Sequence, residues 1–359
     1  MLNLALVFGG RSAEHEISLA SARFVLGALD PDRFSVTAVG ITRDGAWVVP
    51  ADAQTALRDG LDSVPCEPAG LLCDPRRPGL QLGAGEHFIP LDFVFPVLHG
   101  PFGEDGAIQG LLEMAGLPYA GAGVLGSAVG MDKELMKAAF AHSGLPQVDY
   151  LVLRDVAGAA ENDVARIEET LGYPVFVKPV NLGSSVGMTK AHDRAELVAA
   201  VDLALRFDRK VIVEAHAAGR ELECSVLGNE EPRASLPGEI VPANEYYDYE
   251  AKYTEGKMAL RIPAPLTPAQ EGRVRELAVQ AFKAIDCCGY ARCDFFVSEP
   301  DGRVLVNEIN TIPGMTSMSA FPLLWEASGV SNRELMTQIV ELGRQRHECR
   351  RKLMTTRLG

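Results

Sequence analysis

Between residues 290 and 310 the chain reads as two strands, YARCDFFV (290–297) and RVLVNEIN (303–310), turning through Glu299, Pro300, Asp301 and Gly302. So tight a turn leaves the pairing little freedom, because a slip of one residue moves every side chain to the other face. With the turn centred near Pro300 and Asp301, Asp294 falls opposite residue 307 or 308. Arg292, Asp294, Glu308 and Asn310 then share one face. An ion pair between Arg292 and a neighbour would explain any two of them. All four together, just before the hydroxyl-rich PGMTS, point to a site. Three oxygen donors side by side suit a hard cation such as Mg²⁺, which takes one or two carboxylates and completes its shell with substrate phosphates.

The segment KPVNLGSSVGM (178–188) supplies the phosphate side. A strand ends in Lys178, and Gly183 and Gly187 bracket Ser184 and Ser185, so backbone N–H groups can turn toward an anion without a Cβ in the way. The GxxxxGK[ST] spacing of a P-loop occurs nowhere in the chain, so an ATP site here is of another kind. GSSVG also matches GxSxG, the nucleophile elbow of serine hydrolases, with Ser185 as nucleophile, HGPFG as the upstream oxyanion loop and His347 late in the chain. An elbow needs a helix directly after the serine. The residues VGMTKAHD instead continue extended and polar, which favours the phosphate loop.

Around these segments the pattern is α/β. LALVF (4–8) is a buried strand, followed by Gly9-Gly10 and a helix from about 16 to 29; strands follow near 35–41 and 46–49. LDFVFPVL (91–98) is another buried strand that enters HGPFGEDG and a helix near 107–115. Ligands are expected at the C-terminal ends of such strands. A carboxylate there, Glu14, can hold an ammonium group, while Glu16 balances a helix dipole. GGRSAEHE lacks the GxGxxG of a dinucleotide site. His99 is either a ligand or a hydrogen-bonded loop histidine. Residues 51–88 show weak periodicity. Further on, helices are expected near 131–143, 162–171 and 193–206, with strands at 148–153 and 174–178. VIVEAH (211–216) and ELECSVLG (221–228) suggest a hairpin turning at Gly219. Thr267 caps a long helix to about 285, and a terminal helix covers about 331–346.

The 359 residues suffice for two or three domains. A net charge of −14 argues against a nucleic-acid partner. No apolar run approaches the ~20 residues of a membrane span, and the N-terminus lacks a basic leader. Seven cysteines without a CxxC pair read as reduced thiols in a cytoplasmic protein.

GGRSAEHEISL, LHGPFGEDGAIQG, MDKELMK, VKPVNLGSSVGM, YYDYEAKY, GYARCDFF and NEINTIPGMTSMS occur in an order that resembles the D-alanine–D-alanine ligases of the ATP-grasp superfamily, from residue 3 to about 345. The resemblance implies a three-domain ATP-grasp fold: a Rossmann-like substrate domain (1–121), a central subdomain (122–214), a C-terminal subdomain with the metal site (215–347) and a basic tail (348–359). It implies joining of two D-alanines through an acyl phosphate, for peptidoglycan precursor synthesis. Lys133, Lys178 and Ser185 fall on ATP phosphates, and Glu214, Ala217 and Glu221 on adenine and ribose, with Tyr246 beside the base. Ala215 stands where the family usually has lysine. Asp294, Glu308 and Asn310 become ligands of two Mg²⁺ or Mn²⁺ ions, and Arg292 with the Gly314 N–H the oxyanion clamp. Glu14 takes the first D-alanine's ammonium and connects through Ser184 to Tyr253; His99 lies nearby. Lys252, on the same loop as Tyr253, reaches the phosphates. Ser319 and Ala320 take the second carboxylate, although the family often has leucine at position 320. Tyr253 favours D-alanine over D-lactate as acceptor. A homodimer is also implied, and monovalent-cation dependence is left open.

Overall fold

The computed structural model describes residues 1–85, 87–154, 158, 160–242, 258–298 and 301–353. Its first sheet is organised by β1 (Leu2–Gly9), whose residues 4–8 are buried on both faces, as an interior parallel strand must be. The helix α1 (His15–Ala28) follows, then β2 (Phe34–Ile41), parallel to β1, and β3 (Trp47–Pro50), antiparallel to β2 across the Arg43–Gly45 turn.

The weakly patterned stretch 51–88 is regular after all. Asp52 caps α2 (Ala53–Asp59), accepting from the N–H groups of Gln54 and Thr55 at 3.0 and 3.2 Å. Then β4 (Cys66–Leu71), β5 (Gly79–Leu82) and β6 (His87–Pro90) extend the sheet antiparallel from β3. The strand β7 (Phe93–Pro96) returns to the other side of β1, giving the order β6-β5-β4-β3-β2-β1-β7. The reversal places a switch point between β1 and β7, beside the Gly9 and His99 loops and ahead of α3 (Ala107–Ala115).

After α4 (Val124–Met131), a helix its glycines conceal in the sequence, Asp132 caps α5 (Lys133–His142) by accepting from the Leu135 N–H at 3.1 Å. Next come β8 (Tyr150–Arg154), α6 (Glu161–Leu171), β9 (Val175–Pro179), β10 (Thr189–Ala191), α7 (Arg194–Ala204) and β11 (Lys210–Ala215). The four strands form an antiparallel sheet in the order β10-β9-β11-β8.

The third sheet takes β12 (Gly219–Gly228), β13 (Arg233–Ala234), β14 (Gly238–Pro242), β15 (Met258–Arg261), β16 (Gly289–Ser298) and β17 (Val304–Asn310), in the order β15-β14-β12-β16-β17 with β13 on β12. The hairpin expected between 211–216 and 221–228 does not form. Both edges of β11 are taken by β8 and β9, and β12 sits between β14 and β16, so residues 216–218 cross from one sheet to the next. Between β15 and β16, α8 (Pro268–Ala284) begins at Thr267 with a reciprocal capping box to Gln270. The hairpin of β16 and β17 has the expected register: Asp294 faces Glu308 and Arg292 faces Asn310, with the ladder shifting just after Asp294.

Last come α9 (Ala320–Ala327) and α10 (Asn332–Arg351). Alternation along β1 explains where they go. Ala5 and Val7 pack toward α3, against Ile108 and Leu112. Leu4, Leu6 and Phe8 point the other way, into a core shared with Phe321, Trp325, Leu335, Met336, Ile339 and Val340. The first sheet and the last two helices thus share a single interior.

Candidate active site

A cleft of about 350 Å³ opens between the second and third sheets, with Lys133, Lys178 and Glu214 on one side and Glu221, Asp294 and Glu308 on the other. Ser185 and Ala217 also line it. Lys178 reaches it because β9 alternates buried and half-buried positions, turning 176 and 178 away from the core that Val175 and Val177 enter. Its ammonium donates to Glu214 Oε2 at 2.5 Å. Lys137, 1% exposed, holds Glu214 Oε1 at 2.8 Å and donates to the Asn307 carbonyl at 3.3 Å. Burial pushes the Glu214 carboxyl up, but the two lysines outweigh it and bring its pKa down to about 2. Lys178 is held above its ordinary value, since Glu214 and Glu308 overcome the cost of burying its charge. From the start of α5, Lys133 donates to the Leu182 carbonyl at 2.7 Å and lies 3.9 Å from Glu308.

The glycine-serine loop closes one end. Ser184 and Ser185 both take left-handed backbone angles (φ 49° and 58°), as does Gly187 (φ 72°). This curls the loop toward the first sheet, and the Ser184 hydroxyl donates to Glu14 Oε1. Glu14 is 8% exposed, and its other oxygen lies where a side chain on Gly100 would sit, 2.9 Å from that ideal Cβ, so a glycine at 100 leaves room for the carboxylate. His99 is buried beside it. The Ile312 carbonyl can only accept, so the imidazole donates from Nδ1, at 3.1 Å, while Nε2 meets the Ser21 hydroxyl at 3.0 Å. Burial disfavours the imidazolium, but Glu104, 3.5 Å away, and Glu14 hold the His99 pKa above its usual value. Ser21 also accepts the Met315 N–H at 3.2 Å, tying α1 to the PGMTS segment.

On the third sheet the Arg292 guanidinium grips Asp294 with two bonds of 2.7 Å and lies 3.4 Å from Glu223. Glu308 is opposite Asp294, and Asn310 Oδ1 accepts the Ile312 N–H at 3.1 Å. Among the described residues no three His, Cys, Asp or Glu side chains form a ready-made metal cage. The oxygen-only set of Asp294, Glu308 and Asn310 fits a hard cation that completes its shell with phosphate oxygens. Beyond the hairpin, a side chain at Gly314 would come within 3.0 Å of Ser319 Oγ, which accepts the Thr316 N–H at 3.0 Å. Ser319 stands at the N-cap of α9 and buried Ala320 begins it.

Glu14 and Ser184, Lys178 and Glu214, and Arg292 and Asp294 are therefore in contact, although 170 residues separate the first pair. Tyr246, Lys252 and Tyr253 lie outside the described residues. Lys137, Ser21 and Glu104 escaped the sequence reading. For Lys137 a signal existed: it lies four residues after Lys133, on the same helical face. The hydrolase arrangement is not formed, because the chain turns after Ser185 and enters β10 without a helix. His347 lies on α10, in a groove with Leu2, Asp92 and Arg351. No helix among the described residues is long and apolar enough to cross a membrane.

Two antiparallel sheets closing on a cleft, one presenting lysines and the other a row of oxygen donors, define an ATP-grasp enzyme. Sequence models of the D-ala D-ala ligase N-terminus and C-terminus match residues 3–122 and 139–341. The chain belongs to the D-alanine–D-alanine ligase family. It is 50% identical to a D-alanine–D-alanine ligase of Heliobacterium modesticaldum, over 99% of this chain and 98% of the relative. It is 48% identical to one of Acetivibrio thermocellus, over 95% and 96%. The solved D-alanine-D-alanine ligase of Coxiella burnetii superposes with a TM-score of 0.87 at 37% identity, covering 98% of this chain and 96% of that one. A D-Ala:D-Ser ligase from Enterococcus faecalis gives the same TM-score at 35% identity, over 95% and 99%.

Proposed function

We propose that this chain joins two D-alanine molecules into D-alanyl-D-alanine while ATP is cleaved to ADP and phosphate, as a step of peptidoglycan precursor synthesis. One observation carries the reading: Ser184, in the phosphate-shaped loop, touches Glu14, the buried carboxylate at the end of the first sheet. An anion suited to an ammonium group thus sits beside a cradle suited to a phosphoryl group.

In this reading Lys133, Lys178 and Ser185 hold the ATP phosphates and Glu221 the ribose. Both Glu214 oxygens are engaged by lysines, so its part in adenine binding, like that of Ala217, belongs to the backbone. Tyr246 flanks the base. Asp294, Glu308 and Asn310 would hold two Mg²⁺ or Mn²⁺ ions, which when bound supply positive charge to the phosphoryl oxygens. With its ammonium on Glu14 and His99 nearby, the first D-alanine turns a carboxylate oxygen toward the γ-phosphorus. That oxygen bonds to phosphorus, the bond to the β–γ bridging oxygen breaks, and ADP leaves behind an acyl phosphate. Ser319 and the Ala320 backbone hold the second D-alanine's carboxylate at the N-terminus of α9, where the helix dipole favours an anion. Its amine, after losing a proton, attacks the acyl carbon. Arg292 and the Gly314 N–H steady the resulting oxyanion, and collapse expels phosphate. Lys252 and Tyr253 complete the enclosure that keeps water from the acyl phosphate. The same reading includes the three-domain division, a homodimer and a cytoplasmic location.

The test is phosphate release from ATP with D-alanine, L-alanine, D-lactate, D-serine or no acceptor, with products identified by mass. Turnover that requires D-alanine and yields the dipeptide is expected. Equal ATP cleavage without D-alanine would overturn the assignment.

A further inference from the structure

We infer that Lys137 is a positioning residue for nucleotide binding: it neutralises Glu214 so that the charge of Lys178 remains available to the ATP phosphates. The inference rests on the ATP site proposed above. Lys137 stands behind Glu214, outside the cleft lining, and is almost wholly buried, with its ammonium 2.8 Å from Glu214 Oε1, 3.3 Å from the Asn307 carbonyl and 5.7 Å from the centre of the Tyr150 ring. Lys178 takes the other oxygen of the same carboxylate. Three elements meet there, since Lys137 comes from α5, Glu214 from β11 and Asn307 from β17.

The charges explain the arrangement. Glu214 alone beside Lys178 would form a neutral pair, and a neutral pair attracts phosphate weakly. With Lys137 behind it, the trio keeps one net positive charge, and of its two cations Lys178 is the one that borders the cleft. Burying a second cation is costly unless it is paired and hydrogen-bonded, and Lys137 is both. A lysine placed merely to fill space would not require a carboxylate and a carbonyl at its tip. Glu221 and Glu308 also act on Lys178, but they stay the same in every comparison below.

The experiment measures steady-state KM for ATP and for D-alanine, with thermal unfolding in parallel, for the wild type, Lys137→Met, Lys137→Arg and the double variant Lys137→Met/Glu214→Gln. Lys137→Met is expected to raise the ATP KM by about ten- to a hundredfold, the range for losing one charge-assisted contact, and to leave the D-alanine KM within about twofold. Lys137→Arg, which keeps the charge, should stay within about threefold of the wild type for ATP. In the double variant Glu214 no longer offsets the charge of Lys178, so the ATP KM should return most of the way. An unchanged ATP KM in a folded Lys137→Met, or a double variant no better than the single, would overturn the inference. If Lys137→Met does not fold, the double variant decides alone: an ATP KM near the wild-type value supports the role, and a tenfold rise refutes it. Failure of the wild type itself to couple ATP cleavage to D-alanine would instead strike the ATP-site reading.

Discussion

The same buried carboxylate makes the fold acid-sensitive in a calculable way. In the unfolded chain the Glu214 carboxyl titrates near the ordinary 4.5; in the folded protein, burial would raise it, but Lys137 and Lys178 bring it down to about 2. At ~1.4 kcal/mol per pH unit, that gap corresponds to about 3 kcal/mol of stability. The folded group is the more acidic one, so its contribution is complete above about 4.5 and is lost as the pH falls toward 2. Roughly 2 kcal/mol of it should be gone by pH 3. Other carboxylates titrate over the same range, so the informative quantity is the difference between the wild type and Glu214→Gln. Urea unfolding followed by circular dichroism at pH 7, 5, 4 and 3 measures it. The variant should be about 3 kcal/mol less stable at pH 7, and the gap should narrow by about 2 kcal/mol by pH 3. A gap that stays constant from pH 7 to pH 3 would show that Glu214 is not held ionised by its two lysines.

Glu308→Gln keeps shape but removes the charge facing Asp294; turnover should fall by on the order of 10²–10³, and near-normal kcat at saturating Mg²⁺ would misplace the metal site. Ser184→Ala removes the hydroxyl that meets Glu14. It should lower kcat/KM for D-alanine about tenfold or more while hardly moving the ATP KM, whereas equal losses for both substrates would mean the contact only shapes the loop. Thr267→Ala abolishes the capping box of α8 and should cost about 1 kcal/mol, read as a melting point lower by about 2 °C; an unchanged midpoint would show that the cap is redundant.

Legibility in the sequence followed the range of the forces involved. The register of β16 on β17 could be read because a short turn determines it locally, and the turn residues are distinctive. Thr267 and Gln270 likewise announce their helix within four residues. The stretch 51–88 resisted because β4 is a largely exposed strand containing Pro68 and Gly70, so no alternation marks it. The misread hairpin at 211–228 had good local credentials, two apolar strands around a glycine. Its failure was decided by β8 and β9, strands whose claim on β11 is invisible locally. In the site, Lys178 and the carboxylates stood out through their motifs. Lys137 did not, because a lysine within a helix ordinarily faces water; its spacing from Lys133 marks a shared face, and its partners on β11 and β17 show that this face is interior at 137.

The shared interior of the first sheet and the last two helices bears on how the chain is made. Leu4, Leu6 and Phe8 emerge during synthesis well before the side chains that cover them, from Phe321 to Val340. At translation rates of roughly 5–20 residues per second, on the order of ten to fifty seconds separate the completion of the first sheet from the arrival of its lid. For that interval a row of leucine and phenylalanine side chains faces solvent on the nascent chain. The N-terminal lobe is therefore a natural client for chaperones that hold exposed apolar surface. A chain lacking α9 and α10 would lack a finished first lobe as well.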